Sequence, residues 1–77
     1  MRKRTRNEIL TEILRLCLKP RKKTHIVNQV NLNFRILPDY VRPLESNGHL
    51  ARNGIEYLTT IKGKELLETL EVVNEIT

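Results

Sequence analysis

The 77-residue chain has no tryptophan, one phenylalanine, two tyrosines, one cysteine, three glycines and three prolines. Each shortage excludes something. A single cysteine cannot form an internal disulfide, and Cys17 sits among Leu14, Leu16 and Leu18, where it reads as a small core residue in a reducing, cytoplasmic setting. With only Phe34, Tyr40 and Tyr57 as aromatics, the core rests on leucine, isoleucine and valine. A domain of this size buries only about 60% of the surface its unfolded chain exposes, so a second subunit or very regular helices are expected to contribute stability. No apolar run approaches the ~20 residues of a membrane span. The basic start, residues 1–6, is not followed by a signal-peptide apolar region, because Thr11, Glu12 and Arg15 interrupt it. No phosphate-cradling glycine loop and no set of nucleophile, base and orienting group can be assembled, and His25 and His49 have no neighbours at metal-ligand spacing. The chain is therefore expected to be no enzyme and to use no cofactor, metal or small-molecule ligand.

What is present is positive charge, unevenly placed. Residues 1–42 carry eleven Lys/Arg against three acids, whereas residues 43–77 carry three against six. A basic half of that density attracts polyanions through summed potential and counterion release, nucleic acid first and anionic membrane next. A merely solvated basic face is the plainer reading.

Thr5-Arg6-Asn7-Glu8 has the pattern of a capping box, and Ile9, Leu10, Ile13, Leu14, Leu16 and Cys17 recur at helical spacing until Lys19-Pro20. A first helix is expected over Thr5 to Leu18. Arg21-Lys22-Lys23 then reads as a basic loop, with Thr24 capping a short second helix that turns Ile26, Val27 and Val30 inward. Asn31-Leu32-Asn33 supplies a turn, with Asn33 as cap of a third helix and Leu32 and Leu37 as its hydrophobic staple. That helix, about residues 33–47, turns Leu37, Tyr40, Val41 and Leu44 inward and Arg35, Pro38, Asp39 and Arg42 outward. Pro38 and Pro43 oppose a straight helix, since each removes a backbone bond, yet the apolar phase runs through both.

Asn47-Gly48 is a left-handed stop, and Asn53-Gly54 suggests a type I′ hairpin of His49 to Arg52 with Ile55 to Thr59, pairing Leu50 with Tyr57 and Arg52 with Ile55. Thr60 caps a last amphipathic helix, residues 60–76, with Leu66, Leu67, Leu70, Val73 and Ile76 on one side and Glu65, Glu68, Glu71 and Glu75 on the other. The order of elements specifies one α+β, mostly helical domain over residues 1–77: a winged helix-turn-helix of three helices, a two-stranded wing and a C-terminal helix. That motif lays its third helix in the DNA major groove with the wing on the backbone.

The string from Lys22 to Leu50, with Thr60-Ile61-Lys62-Gly63 and the leucines after it, resembles the small winged-helix DNA-binding proteins of archaea and their viruses. The resemblance covers residues 5–72. It implies a recognition helix, a two-stranded wing and a C-terminal helix opened by Thr-x-x-Gly. The chain departs from that family at Pro38 and Pro43, and its last helix is much shorter than the coiled-coil helix that dimerises the chromatin-like members.

The expected function is double-stranded DNA binding, most simply by a transcription regulator. Arg35 and Arg42, seven apart on one face, are candidates for guanine or phosphate, and Asp39 between them for orienting both. Asn33 and Thr24 are candidates for offering helix-start amides to phosphate, although capping alone explains them. Lys22 and Lys23 in the loop and Arg52 near the wing tip are phosphate candidates. So is the basic arm of residues 1–4 with Arg6, which a solubilising tail would equally explain. Leu66, Leu70, Val73 and Ile76 are the expected seam of a homodimer that spaces two recognition helices about 34 Å apart, against the alternative that they pack on their own domain. The rival function is a protein-docking winged helix that uses its acidic last helix without reading DNA.

Overall fold

A computed structural model describes residues 4–76, Ile76 by its backbone only. The order is α1 (Arg6–Leu16), β1 (Arg21–Lys22), α2 (Lys23–Val30), α3 (Leu37–Ser46), β2 (Leu50–Asn53), β3 (Glu56–Thr59) and α4 (Ile61–Ile76). The three strands form an antiparallel sheet in the order β1-β3-β2. This is the expected winged-helix plan with a third strand added. No described helix is long and apolar enough to cross a membrane.

The capping box forms: the Glu8 amide donates to the Thr5 hydroxyl at 3.1 Å, and the Thr5 amide to the Glu8 carboxylate at 3.3 Å. The helix ends at Leu16, two residues earlier than expected, and its last carbonyls find partners outside the helix. The Thr59 hydroxyl donates to the Leu14 carbonyl at 2.7 Å, the Thr59 amide to the Cys17 carbonyl at 2.8 Å, and Arg21 Nε to the Leu16 carbonyl at 3.3 Å. One buried threonine of β3 thus closes the C-terminal end of α1.

The basic loop is in part a strand. Arg21 pairs with Tyr57 and Lys22 with Glu56, so the chain passes directly from sheet to helix, and α2 begins one residue before Thr24. Lys22 occupies the cap position with no side-chain cap bond. Thr24 is therefore not the cap that its sequence suggested.

The third helix starts later than expected. Asn33 does order the chain there, but it caps a turn: its side chain accepts the Arg35 amide at 2.8 Å and its carbonyl accepts the amides of Ile36 and Leu37. The helix proper begins at Leu37, so Leu32 lies five residues ahead of it, outside the staple position, and Arg35 lies in the turn. Pro38 falls in the first helical turn, where an absent N–H breaks no helical bond. Pro43 stays inside the helix. At the far end the amides of Gly48 and His49 donate to the carbonyls of Glu45 and Leu44, with Gly48 at φ 79°, a Schellman closure that needs glycine.

The wing register also differs. Leu50 pairs with Thr59, Arg52 with Tyr57 and Asn53 with Glu56, so the two-residue turn is Gly54-Ile55 rather than Asn53-Gly54. Gly54, at φ 66°, takes the first central position, and Ile55 has no positive φ, the requirement of a type II′ turn. The Schellman closure uses Gly48 and His49, so the strand starts at Leu50 and its partner is set by Thr59. A two-residue shift keeps side-chain parity, and Leu50 and Tyr57 still face inward.

Ile13, Leu14, Ile26 and Leu37 are fully enclosed at the centre of the core, with Val30, Val41, Leu44, Leu50 and Tyr57 around them. The last helix packs on the first: Leu67 and Leu70 are buried, Asn74 donates to the Thr11 hydroxyl at 3.0 Å and Arg15 bonds Glu71 at 2.6 Å. Leu70, expected at a dimer seam, is in the domain's own core, because α1 covers that stretch of α4. Val73 and Leu66 are half-buried, and the Ile76 side chain lies outside the described residues.

Candidate nucleic-acid interface

The helix-turn-helix unit is α2, the turn of residues 31–36, and α3. The turn is held by bonds at both ends. Asn31 adopts the left-handed conformation at φ 58°, the Leu32 amide donates to the Val27 carbonyl at 3.0 Å, and Asn33 accepts the amides of Arg35, Ile36 and Leu37 as above. On α3, Leu37, Val41 and Leu44 are buried while Asp39, Arg42, Pro43 and Ser46 are exposed.

The candidate cations divide into two groups. Arg4 is engaged, donating to the Glu12 carboxylate at 2.8 Å and the Asn31 carbonyl at 3.2 Å. Arg6 donates to the Asp39 carbonyl at 3.4 Å and lies 5.1 Å from the Tyr40 ring centre. Arg52 bonds the Tyr57 hydroxyl, lies 4.9 Å from that ring and pairs with Glu45 at 3.5 Å. It joins wing to α3 while its side chain remains about half exposed. The side chains of Lys22, Lys23, Arg35 and Arg42 are exposed and engage no group among the described residues. Lys19, Lys62 and Lys64, off the helix-turn-helix, are free in the same sense.

Two expected relationships are absent. Arg35 and Arg42 do not share a helical face, because Arg35 precedes α3. Asp39 has no ion pair to either arginine among the described residues. It stands instead in the first turn of α3, where a carboxylate is favoured by the helix dipole. The structure does bring Lys23 and Arg52 together, on one cleft with Gly54, Ile55 and Tyr57, so the start of α2 and the wing tip are neighbours. The part of the arm formed by residues 1–3, Arg2 and Lys3 included, lies outside the described residues.

Sequence reading passed over Phe34 and Ile36. They flank Arg35 in the turn and are 49% and 40% exposed. On a helix running from residue 33, Phe34 would continue the stripe of Leu37, Val41 and Leu44 at 3,4,3 spacing; the later helix start at Leu37 is what leaves it in the turn.

Residues 3–77 match the family model for the winged helix-turn-helix, and the chain belongs to that family. Among solved structures it is similar to Sso10a-2, a DNA-binding protein from Sulfolobus solfataricus, with a TM-score of 0.81 and 26% identity over 96% of this chain and 81% of that one. The archaeal resemblance read from the sequence is thereby supported. No curated protein sequence matches.

Proposed function

We propose that this chain binds double-stranded DNA as a transcription regulator, with α3 in the major groove and the wing beside the backbone. The division of the cations carries the proposal. Arg4, Arg6, Arg15, Arg21 and Arg52 are each engaged by an oxygen of the protein itself. The exposed cations of the helix-turn-helix, Lys23, Arg35 and Arg42, and Lys22 immediately before it, are left for an outside anion. Membership of the winged helix-turn-helix family and likeness to a DNA-binding protein support the same reading.

On this reading Lys22 and Lys23 take phosphates at the start of α2. Arg35 enters at the mouth of the groove, and Arg42 faces base edges from the middle of α3. The test is salt dependence of duplex binding. Log affinity is expected to fall linearly with log salt, with a slope of about 0.9 per phosphate neutralised and on the order of four to eight phosphates. No binding to duplex DNA at low salt overturns the proposal.

A further inference from the structure

We infer that Phe34 and Ile36, on either side of Arg35, form an apolar contact for thymine methyl groups, giving the proposed DNA-binding surface a preference for A·T pairs next to the base taken by Arg35. The inference rests on the DNA-binding reading and adds a chemical specificity to it.

Three observations carry it. Of the three aromatics, Tyr57 is buried, Tyr40 is half-buried under Arg6, and Phe34 is left 49% exposed. The backbone beneath Phe34 is tied down: the Asn33 side chain accepts the Arg35 amide, the Asn33 carbonyl accepts those of Ile36 and Leu37, and the Arg4 guanidinium holds the Asn31 carbonyl. A turn bonded in this way holds both backbone positions in place, and from them Phe34 and Ile36 stand 49% and 40% exposed. Thirdly, the residue between them is an exposed arginine whose side chain has no partner among the described residues. Apolar side chains on both sides of a free cation suit a surface that is anionic outside and apolar at defined points within.

The DNA major groove has that character. Phosphates line its rim, and the one apolar group on its floor is the C5-methyl of thymine, which apolar side chains contact. The turn lies immediately before the first residue of α3, at the end of the helix that enters the groove. An exposed apolar pair placed there meets the methyl groups first.

The test replaces thymine by uracil, which removes the methyl and leaves every hydrogen-bonding group unchanged. The full chain is titrated with an A·T-rich duplex and with the same duplex carrying uracil throughout. The wild type is expected to bind the uracil duplex about fourfold more weakly for each methyl group that Phe34 or Ile36 touches, the equivalent of one buried carbon group. F34A and I36A are each expected to weaken binding to the thymine duplex, to lose the share of the uracil penalty that the replaced residue carries, and to keep the melting temperature of the wild type, and the double variant F34A/I36A is expected to bind both duplexes with nearly equal affinity. Equal wild-type affinity for the two duplexes overturns the methyl contact and leaves DNA binding standing. A uracil penalty that persists undiminished in F34A and I36A overturns it as well. Loss of a higher-mass species in F34A sedimentation, with DNA binding unchanged, would mark the pair as a self-association surface instead. Failure of the wild type to bind either duplex at low salt removes the DNA-binding reading and this inference together.

Discussion

The Arg6 guanidinium donates to the carbonyl of Asp39, the acceptor that a helix would normally satisfy with the amide of residue 43. Residue 43 is proline, which has no amide and whose ring pushes the carbonyl four residues back out of line. Arg6 also lies over the neighbouring Tyr40 ring at 5.1 Å. An arginine at the start of the first helix thus compensates a proline inside α3.

That relationship predicts a coupled pair of mutations. R6A should destabilise the protein by about 0.5 to 1 kcal/mol, the size of an exposed charge-assisted bond with a cation–π contact. In a P43A background, where the helix supplies its own donor, the cost should fall to the cation–π part. Urea denaturation of the four proteins gives the coupling energy, and strict additivity would mean that Arg6 does not serve the Asp39 carbonyl.

Gly63 and Gly54 should respond very differently to alanine. A Cβ at Gly63 would meet the His49 carbonyl oxygen at 2.0 Å and Thr59 Cγ2 at 2.7 Å, whereas a Cβ at Gly54 meets nothing within 4 Å. G63A should therefore cost at least ~3 kcal/mol by forcing α4 off the start of the wing. G54A should cost about 1 to 2 kcal/mol, from its positive φ alone. Circular dichroism during thermal unfolding ranks them, and equal melting temperatures would show that α4 does not press on His49 this closely.

Burial pushes the Cys17 thiol from its ordinary 9.0 up to about 11, with the Arg21 guanidinium opposing part of the rise. The folded state therefore favours the neutral thiol. Its contribution is fully present below about pH 9 and is lost as pH rises toward 11, since the unfolded chain releases the proton first. Native protein should resist alkylation at pH 8 and react once unfolded. The stability difference between wild type and C17A should shrink between pH 9 and 11, and a constant difference across that window would show that the thiol is not desolvated.

For DNA, R35A and R42A should each weaken binding with the fold intact, by ~1 to 3 kcal/mol where the contact is to a base edge. R52A should have a smaller effect, uniform across sequences. R15A, whose arginine is occupied by Glu71 at 2.6 Å, should bind like the wild type. Measurement on a preferred and a scrambled duplex separates these outcomes. Wild-type affinity in both R35A and R42A removes this face from the interface.

A homodimer seam on α4 has to use what Leu70 leaves over. Leu70 is 6% exposed within a single chain, so L70E should cost on the order of 3 kcal/mol or more by burying a charge and should unfold the domain before it can dissociate a dimer. Val72 is 54% exposed, and V72E should leave stability nearly unchanged. If two copies join along this face, V72E sediments as a monomer where the wild type is a dimer. A wild type that is monomeric at tens of micromolar ends the homodimer expectation.

Much of this fold is legible in the sequence because its signals are local. The Thr5 capping box, the apolar stripes of α1 and α2, the glycine stop at Gly48 and Thr60-x-x-Gly63 each depend on residues within one or two turns of one another, and each is present. The Thr60 hydroxyl accepts the Gly63 amide at 3.0 Å and donates to the Gly48 carbonyl at 2.6 Å. What the sequence hides depends on partners distant along the chain. Arg21-Lys22 reads as a loop because nothing in three residues announces a pairing with residues 56 and 57. The hairpin register departs from its local signal because it is set by Thr59 bonding to α1, 45 positions back, and not by the Asn53-Gly54 dipeptide. The site is legible in composition but not in geometry. Arg35 and Arg42 are both exposed as expected, yet a turn and a helix carry them rather than one helical face.

The packing of α4 on α1 also bears on how the protein is made. Asn74 reaches a hydroxyl 63 residues earlier in the chain, and Leu67 and Leu70 close the same face. On a ribosome, the first helix emerges several seconds before its cover has been translated, at about 5 to 20 residues per second. Until then its apolar stripe stays uncovered on that side, open to chaperones or to another nascent copy. The domain can reach its final state only once the last turn of α4 has emerged, so the face between α1 and α4 closes late, after the rest of the domain has been translated.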